Sequence, residues 1–280
     1  MLQNTSSYAV ITGASKGLGK VYALELARRG CPLLLVAKKN EGLQELSESI
    51  TKKYNVKADY FETDLTKVRC LKEFVAWVNT GYSIQLLINN AGIGGTEKFD
   101  EAKIDFINDM IKLNIRAVSF ITHELLPNLM KTSGKAYILN VSSMAAFCPL
   151  GYKTVYPASK KFIQYFSEGL NYELQHKNVS VATVFPGPMN TNLIVRERIQ
   201  KQGFMLKLSV QPPEKVAKIS LDKTFRGKTF IIVGFMNKVN YILLKIIPAN
   251  LLVPLILKRL EKELVLTSDL HGTTLSDSRI

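Results

Sequence analysis

Residues 8–29 read Tyr-Ala-Val-Ile-Thr-Gly-Ala-Ser-Lys-Gly-Leu-Gly-Lys-Val-Tyr-Ala-Leu-Glu-Leu-Ala-Arg-Arg. The stretch opens with a short apolar run, Tyr8 to Thr12, that suits a buried strand. It closes with apolar residues at Leu18, Val21, Tyr22, Leu24 and Leu26, the spacing of a helix face. Gly30 stands where a helix stop is expected. Between strand and helix lies Thr12-Gly-Ala-Ser-Lys-Gly-Leu-Gly19. Glycines there let the chain turn sharply and let its backbone approach a pyrophosphate, while the helix N-terminus offers free N–H groups. The spacing Gly13-x3-Gly17-x-Gly19 lacks the Lys-Ser/Thr ending of a nucleoside-triphosphate loop, so ATP or GTP hydrolysis is disfavoured.

The alternation continues outward from this turn. Strands are expected at Leu33–Ala37, Val56–Phe61, Leu86–Asn89, Ala136–Val141, Val179–Phe185 and Phe230–Val233. Helical patterns fall at Leu43–Tyr54, Val68–Val78, Lys103–Lys112, Asn114–Met130 and Tyr156–His176. Strands alternating with helices imply right-handed crossovers and a parallel sheet covered on both faces. The expected fold is therefore α/β, a doubly wound parallel sheet of the Rossmann type. It forms a single domain over residues 1–235, and residues 236–280 form a helical, basic and apolar C-terminal extension with a polar tail.

Composition narrows the function. The chain has 280 residues, 46% of them hydrophobic and 21% charged, which is ordinary for a folded protein and excludes global disorder. Three cysteines and three histidines, all far apart, argue against a disulfide framework and against a metal site. The net charge is +14, and the segment Arg196–Glu263 holds 14 Lys/Arg against 5 Asp/Glu. Concentrated in a Leu- and Ile-rich stretch, that charge points to anionic ligands or lipid head groups, or to a solvated basic surface, rather than to nucleic acid. The opening residues show neither a basic leader nor a long apolar run, so a cytoplasmic location is expected.

The end of the second strand, Val36-Ala-Lys-Lys39, carries lysine where a free ribose 2′-hydroxyl would want a carboxylate. Lys38, with Lys16 in the turn, suits a 2′-phosphate, and NADP(H) is favoured over NAD(H). Further on, Tyr156-Pro-Ala-Ser-Lys160 places a phenol and an ammonium on one helix face. A tyrosine ordinarily titrates near ~10, and a neighbouring cation is expected to lower that value. Ser143, thirteen residues earlier, offers a hydroxyl to hold a substrate carbonyl toward Tyr156.

Taken together, these motifs resemble the short-chain dehydrogenase/reductase family. The glycine turn, Asn89-Asn-Ala-Gly92, Asn114 in Lys-Leu-Asn-Ile, Ser143, Tyr156, Lys160 and Pro186-Gly-Pro-Met-Asn-Thr191 appear in the family's order and spacing over roughly residues 6–192. The resemblance implies catalytic roles for Asn114, Ser143, Tyr156 and Lys160. It implies cofactor contacts from Gly13, Ser15, Lys16, Gly17, Leu18 and Gly19, then from Lys38, Asp64, Leu65, Asn90, Ala91 and Gly92. Tyr156, Lys160, Pro186, Gly187 and Thr191 complete that set. Asn114 is expected to hold a water linking Lys160 to solvent. Pairing into a homodimer or homotetramer through the helices at Asn114–Met130 and Tyr156–His176 is a further implication.

The expected activity is hydride transfer between NADP(H) and a carbonyl or secondary alcohol on a hydrophobic, acyl-chain or steroid-like molecule. Alternatives are the same chemistry run mainly as alcohol oxidation, and a non-catalytic NADP(H)-sensing protein. Gln200–Leu208 suits a lid or an ordinary surface helix. Val239–Leu257 is apolar but interrupted by Lys245, Pro248 and Pro254, with Lys258, Arg259 and Lys262 beside it. A segment of that kind suits peripheral membrane contact over 239–262, a flap over a greasy substrate, or a subunit contact.

Overall fold

The computed structural model describes residues 7–189, 209–248, 250, 251, 253, 254, 256 and 257. Thr191, the stretch expected to form a lid, and the basic and polar residues from Lys258 onward lie outside the described residues.

Seven parallel strands form one sheet in the order β3-β2-β1-β4-β5-β6-β7. They are β1 (Tyr8–Thr12), β2 (Leu33–Ala37), β3 (Ala58–Glu62), β4 (Ile84–Asn89), β5 (Ala136–Val141), β6 (Val179–Phe185) and β7 (Phe230–Ile232). The helices are α1 (Gly17–Arg28), α2 (Leu43–Tyr54), α3 (Val68–Gly81), α4 (Ile104–Ile111), α5 (Val118–Lys131), α6 (Val155–Glu173), α7 (Pro213–Phe225) and α8 (Phe235–Ile246). The expected doubly wound sheet is present, with its strand boundaries moved by two residues at most.

Period-two alternation explains why both faces are covered. Ala9, Ile11, Leu33 and Leu35 point to one side, where they meet Leu18, Tyr22 and Leu26 of α1 and Val216 and Leu221 of α7. Val10, Leu34 and Val36 point to the other, against Leu71, Phe74 and Val78 of α3 and Ile121 and Leu125 of α5. All of these are buried, each contributing on the order of 1.5–3 kcal/mol by leaving water. A sheet packed on both faces needs the continuous apolar run seen in Leu33–Ala37.

One expectation changes. The two helical stretches read at 103–112 and 114–130 form a continuous run. A π-helical segment, Lys112–Ala117, joins α4 to α5. The helix pattern breaks there because a π turn inserts an extra residue and shifts the apolar phase.

The sheet reverses its order of winding between β1 and β4, so the loops leaving those strands diverge and open a crevice at the C-terminal edge, where ligands bind in such sheets. The expected boundary at 235/236 falls at the start of α8. Asn237 on that helix is buried and donates to the carbonyls of Ser209 and Val233. Tyr241 packs on Phe147 and Phe230. Among the described residues no helix is long and apolar enough to cross a membrane.

Candidate active site

The glycine turn leaves β1 and enters α1 with Gly13 and Gly17 in the left-handed region, which side chains disfavour. A Cβ on Gly19 would strike the Gly13 carbonyl, and one on Gly13 would lie 2.9 Å from the Ala91 Cα. The β1 and β4 loops are tied together across this close approach. Asn90 donates its side-chain amide to the carbonyls of Thr12, at 3.0 Å, and Gly13, at 3.2 Å. The Thr12 hydroxyl accepts from the backbone N–H groups of Asn90 and Ala91. Asn90 is thus a brace for the turn. Asn89, the last residue of β4, is buried and donates to Thr122 and Asn140.

The sequence places the reactive residues on three separate elements, and the fold brings them together. Ser143 follows β5 and caps a short 3₁₀ turn, Met144–Phe147, by accepting from the Ala145 N–H at 3.1 Å. Its hydroxyl also hydrogen-bonds the Tyr156 phenol. Tyr156 and Lys160 lie on the first turns of α6, with the Lys160 Nζ 5.8 Å from the centre of the Tyr156 ring. Lys160 is only 6% exposed and donates to the Val141 carbonyl at 3.0 Å. Ser142 donates to the Lys160 carbonyl, fixing α6 against the end of β5.

Asn114 sits in the π-helical segment and is buried. Its side chain pairs with the backbone of Ile93 as another strand would, accepting from the N–H at 2.9 Å and donating to the C=O at 2.8 Å. It also donates to the Ser159 hydroxyl at 3.0 Å. The side-chain amide is therefore spent on holding the β4 loop to α6. Gly92 is hemmed in by the same group: a Cβ there would lie 3.1 Å from the Asn114 Oδ1 and 3.2 Å from the Lys160 Nζ.

The electrostatics correct one expectation. Tyr156 was expected to be acidified by Lys160. In this molecule burial pushes the phenol above its usual value, and the Ser143 hydrogen bond offsets only part of that. Burial also pushes the Lys160 amine down, to about 8. Both shifts have one cause, since a dry site disfavours whichever form is charged. At neutral pH the phenol is protonated, the form that can give a proton away.

Beyond β3, Asp64 accepts from both the N–H and the hydroxyl of Thr66, closing a turn one residue before α3 is capped at Lys67. Burial pulls its carboxyl upward, but the Thr66 hydrogen bonds and the charges of Lys38 and Lys67 outweigh this and hold it below the usual range. Leu65 beside it is buried, as is Leu18 at the start of α1. Pro186 accepts from the Met144 N–H, and Gly187 lies so close to Asn237 that a Cβ there would collide with the Asn237 amide. The reading of Lys16 and Lys38 as a pair with no carboxylate nearby also needs correction. Glu41, four residues past β2, reaches back to Ser15 at 2.6 Å and Lys16 at 3.0 Å. The sequence rule looks for a carboxylate at the strand end, and Glu41 lies beyond that window.

Two further residues escaped the sequence. Gly94 faces Tyr156, and a Cβ there would lie 2.6 Å from the ring. Leu257 packs so closely on Gly151 that a Cβ on the glycine would lie 2.6 Å from its methyl, which carries the C-terminal segment to the loop before Tyr156. Beside Tyr156 a small, open apolar cleft of about 30 Å³ is lined by Phe99, Phe106, Met110, Tyr152 and Val155.

The family model described as short chain dehydrogenase matches residues 7–202. The chain belongs to that family. Among curated relatives of this short chain dehydrogenase, very-long-chain 3-oxoacyl-CoA reductase-B of Danio rerio is 35% identical over 218 residues, 76% of this chain and 67% of the relative. Hydroxysteroid dehydrogenase-like protein 1 of Gallus gallus is 34% identical over 200 residues, 70% of this chain and 60% of the relative. Of solved structures, the short-chain dehydrogenase from Sphingobium yanoikuyae in complex with NADPH superposes with a TM-score of 0.74. It is 26% identical, covering 97% of this chain and 99% of that one. The bulky-bulky ketone specific alcohol dehydrogenase from Comamonas testosteroni gives a TM-score of 0.73 at 29% identity, covering 85% and 91%.

Proposed function

We propose that this short chain dehydrogenase transfers hydride between NADP(H) and a ketone or secondary alcohol on a large hydrophobic molecule, and that a 3-oxoacyl thioester is the best candidate. The observation that carries the reading is the convergence of the Ser143, Tyr156 and Lys160 side chains beside an apolar cleft at the C-terminal edge of the sheet. The Sphingobium neighbour, in complex with NADPH, supports the cofactor. The acyl-CoA and steroid names of the curated relatives support the substrate class.

The residues present fit a dinucleotide. Gly13 and Gly19 leave no room for side chains where the turn packs, and Ser15, Lys16 and Lys38 would offer hydroxyl and cationic groups to the adenosine end. The turn would hold the diphosphate, Asp64 and Leu65 the adenine, and Lys160 the ribose next to the nicotinamide. The cofactor, when bound, supplies the hydride.

The chain's own groups handle the proton and the geometry. Ser143 and Tyr156 donate hydrogen bonds to the substrate oxygen. Tyr156 then delivers its proton there as negative charge develops. The Lys160 cation stabilises the phenolate left behind, at a distance where a dry surrounding strengthens the attraction. Asn114 holds the Gly92–Ile93 loop against α6 and so keeps Lys160 and Tyr156 in register. The same groups run the reverse reaction with Tyr156 as base.

The test is NADPH oxidation with 3-oxoacyl thioesters of increasing chain length beside a panel of steroid ketones. Activity that rises with acyl length supports the reading. Activity on steroid ketones alone, or on small polar ketones alone, would refute the acyl assignment.

A second observation supports contact with a membrane surface. Phe235 is 78% exposed and Ile246 72% exposed, with Ile242 and Leu243 also in solvent on the same helix. Lys238 and Lys245 lie among them, and both are exposed. An apolar face studded with lysines suits an anionic bilayer interface. Tyr165 and Tyr172, exposed on α6, support pairing of two copies through that helix.

A further inference from the structure

Glu41 occupies a position that the cofactor reading would assign to a phosphate. One carboxylate oxygen accepts from the Ser15 hydroxyl at 2.6 Å and the other from the Lys16 ammonium at 3.0 Å. Both donors come from the glycine turn, and Lys38 at the end of β2 acts on the same carboxylate through its charge. Burial alone would raise the Glu41 carboxyl, but the Ser15 and Lys16 hydrogen bonds and the two lysine charges hold it below its usual range. Glu41 is therefore an anion at neutral pH. A carboxylate bridging a hydroxyl and an ammonium makes the contacts that two oxygens of a phosphate monoester would make. Asp64, whose carboxylate also feels the Lys38 charge, adds a second negative group to the neighbourhood.

We propose that Glu41 is a built-in anionic occupant of the 2′-phosphate pocket and that it sets how strongly the enzyme discriminates NADPH from NADH. The inference rests on the NADP(H) reading above. A 2′-phosphate arriving at Ser15, Lys16 and Lys38 meets a carboxylate already there, and two like charges cannot share those donors without a large energetic cost. Glu41 has to release both donors and swing outward. It is able to do so because its side chain is 26% exposed and that of Lys16 52% exposed. A cofactor with a free 2′-hydroxyl brings no charge, and that hydroxyl can donate to Glu41 where it stands. Glu41 thus opposes the preference that Lys16 and Lys38 create, and leaves the pocket tolerant of both nucleotides.

The test is direct nucleotide binding, measured by fluorescence titration of NADPH and NADH against the wild type, Glu41→Gln and Lys16→Ala. Glutamine keeps the size of the side chain and one of its two acceptor oxygens while removing its charge. Glu41→Gln should tighten NADPH by about tenfold and leave NADH unchanged or weaker. That gain should shrink as salt rises. An NADPH affinity that is unchanged or weakened in Glu41→Gln overturns the inference. Lys16→Ala separates the two levels of the argument, since it should weaken NADPH and spare NADH. If Lys16→Ala weakens NADPH while Glu41→Gln does nothing, only the role of Glu41 falls. If Lys16→Ala affects neither nucleotide, the 2′-phosphate reading falls with it.

Discussion

The Nζ of Lys160 stands 5.8 Å from the centre of the Tyr156 ring and gives a hydrogen bond to the Val141 carbonyl at the end of β5. The buried ammonium is held by the sheet and faces the phenol from one helical turn away. It is placed to stabilise the phenolate once the proton leaves, while burial holds the phenol above its usual value.

Tyr156→Phe removes the proton donor and keeps the ring that packs on Gly94. Turnover should fall by roughly 10²–10⁴-fold. NADPH affinity, read by fluorescence titration, should stay within about twofold of wild type. Near-native turnover in this variant would remove Tyr156 from the chemistry.

Lys160→Met should trade activity for stability. The amine is pushed down from 10.5 to about 8, so between those values the unfolded chain holds a proton that the folded chain has released. Wild-type stability therefore rises with pH across that window, and below it the folded state carries the full cost of a buried ammonium. At pH 7 the methionine variant should be more stable by roughly 1–3 kcal/mol, after allowing for the lost Val141 hydrogen bond. The gap should close as pH approaches 10.5. Urea titrations at pH 7 and pH 10 measure it, and a variant less stable than wild type at pH 7 would contradict the account.

Asn114→Ala would leave the Ile93 N–H and C=O without their partner. Half-buried groups left unpaired in this way cost on the order of 1 kcal/mol each. The expected result is a lower urea midpoint together with a fall in turnover larger than any change in NADPH affinity. Asn114→Asp restores the acceptor alone and should recover only part of the stability.

Gly94→Ala puts a methyl group 2.6 Å from the Tyr156 ring. The backbone tolerates alanine there, because Gly94 is not among the residues with positive φ. Turnover should drop by at least tenfold with little loss of thermal stability, since the ring has to move. Unchanged turnover would show that Tyr156 needs no such fixed position.

Negative charge introduced on the exposed face of α8 tests the membrane reading. Phe235→Glu with Ile246→Glu should release the protein from vesicles containing phosphatidylserine in a sedimentation assay, and leave reduction of a short, soluble ketone unaltered. Equal sedimentation of variant and wild type would refute contact through this face.

Much of the molecule follows from local pattern. The apolar runs at Leu33–Ala37 and Ala136–Val141, the glycine turn and the helix-spaced pair Tyr156 and Lys160 are short-range signals, and each lies where its pattern places it. Periods of two and 3.6 residues dictate strands and helices because each is the repeat that puts one apolar face against a core. Motif order then orients the C-terminal edge of the sheet as the site. What chain order cannot encode is which distant groups meet there and how dry the meeting place is. The return of Glu41 to Ser15 and Lys16, the pairing of Asn114 with the Ile93 backbone, the approach of Leu257 to Gly151 and the upward shift of the Tyr156 phenol all depend on tertiary packing. Hydrogen bonds and desolvation act over a few ångströms of space, whatever the separation along the chain, so only the folded structure decides them.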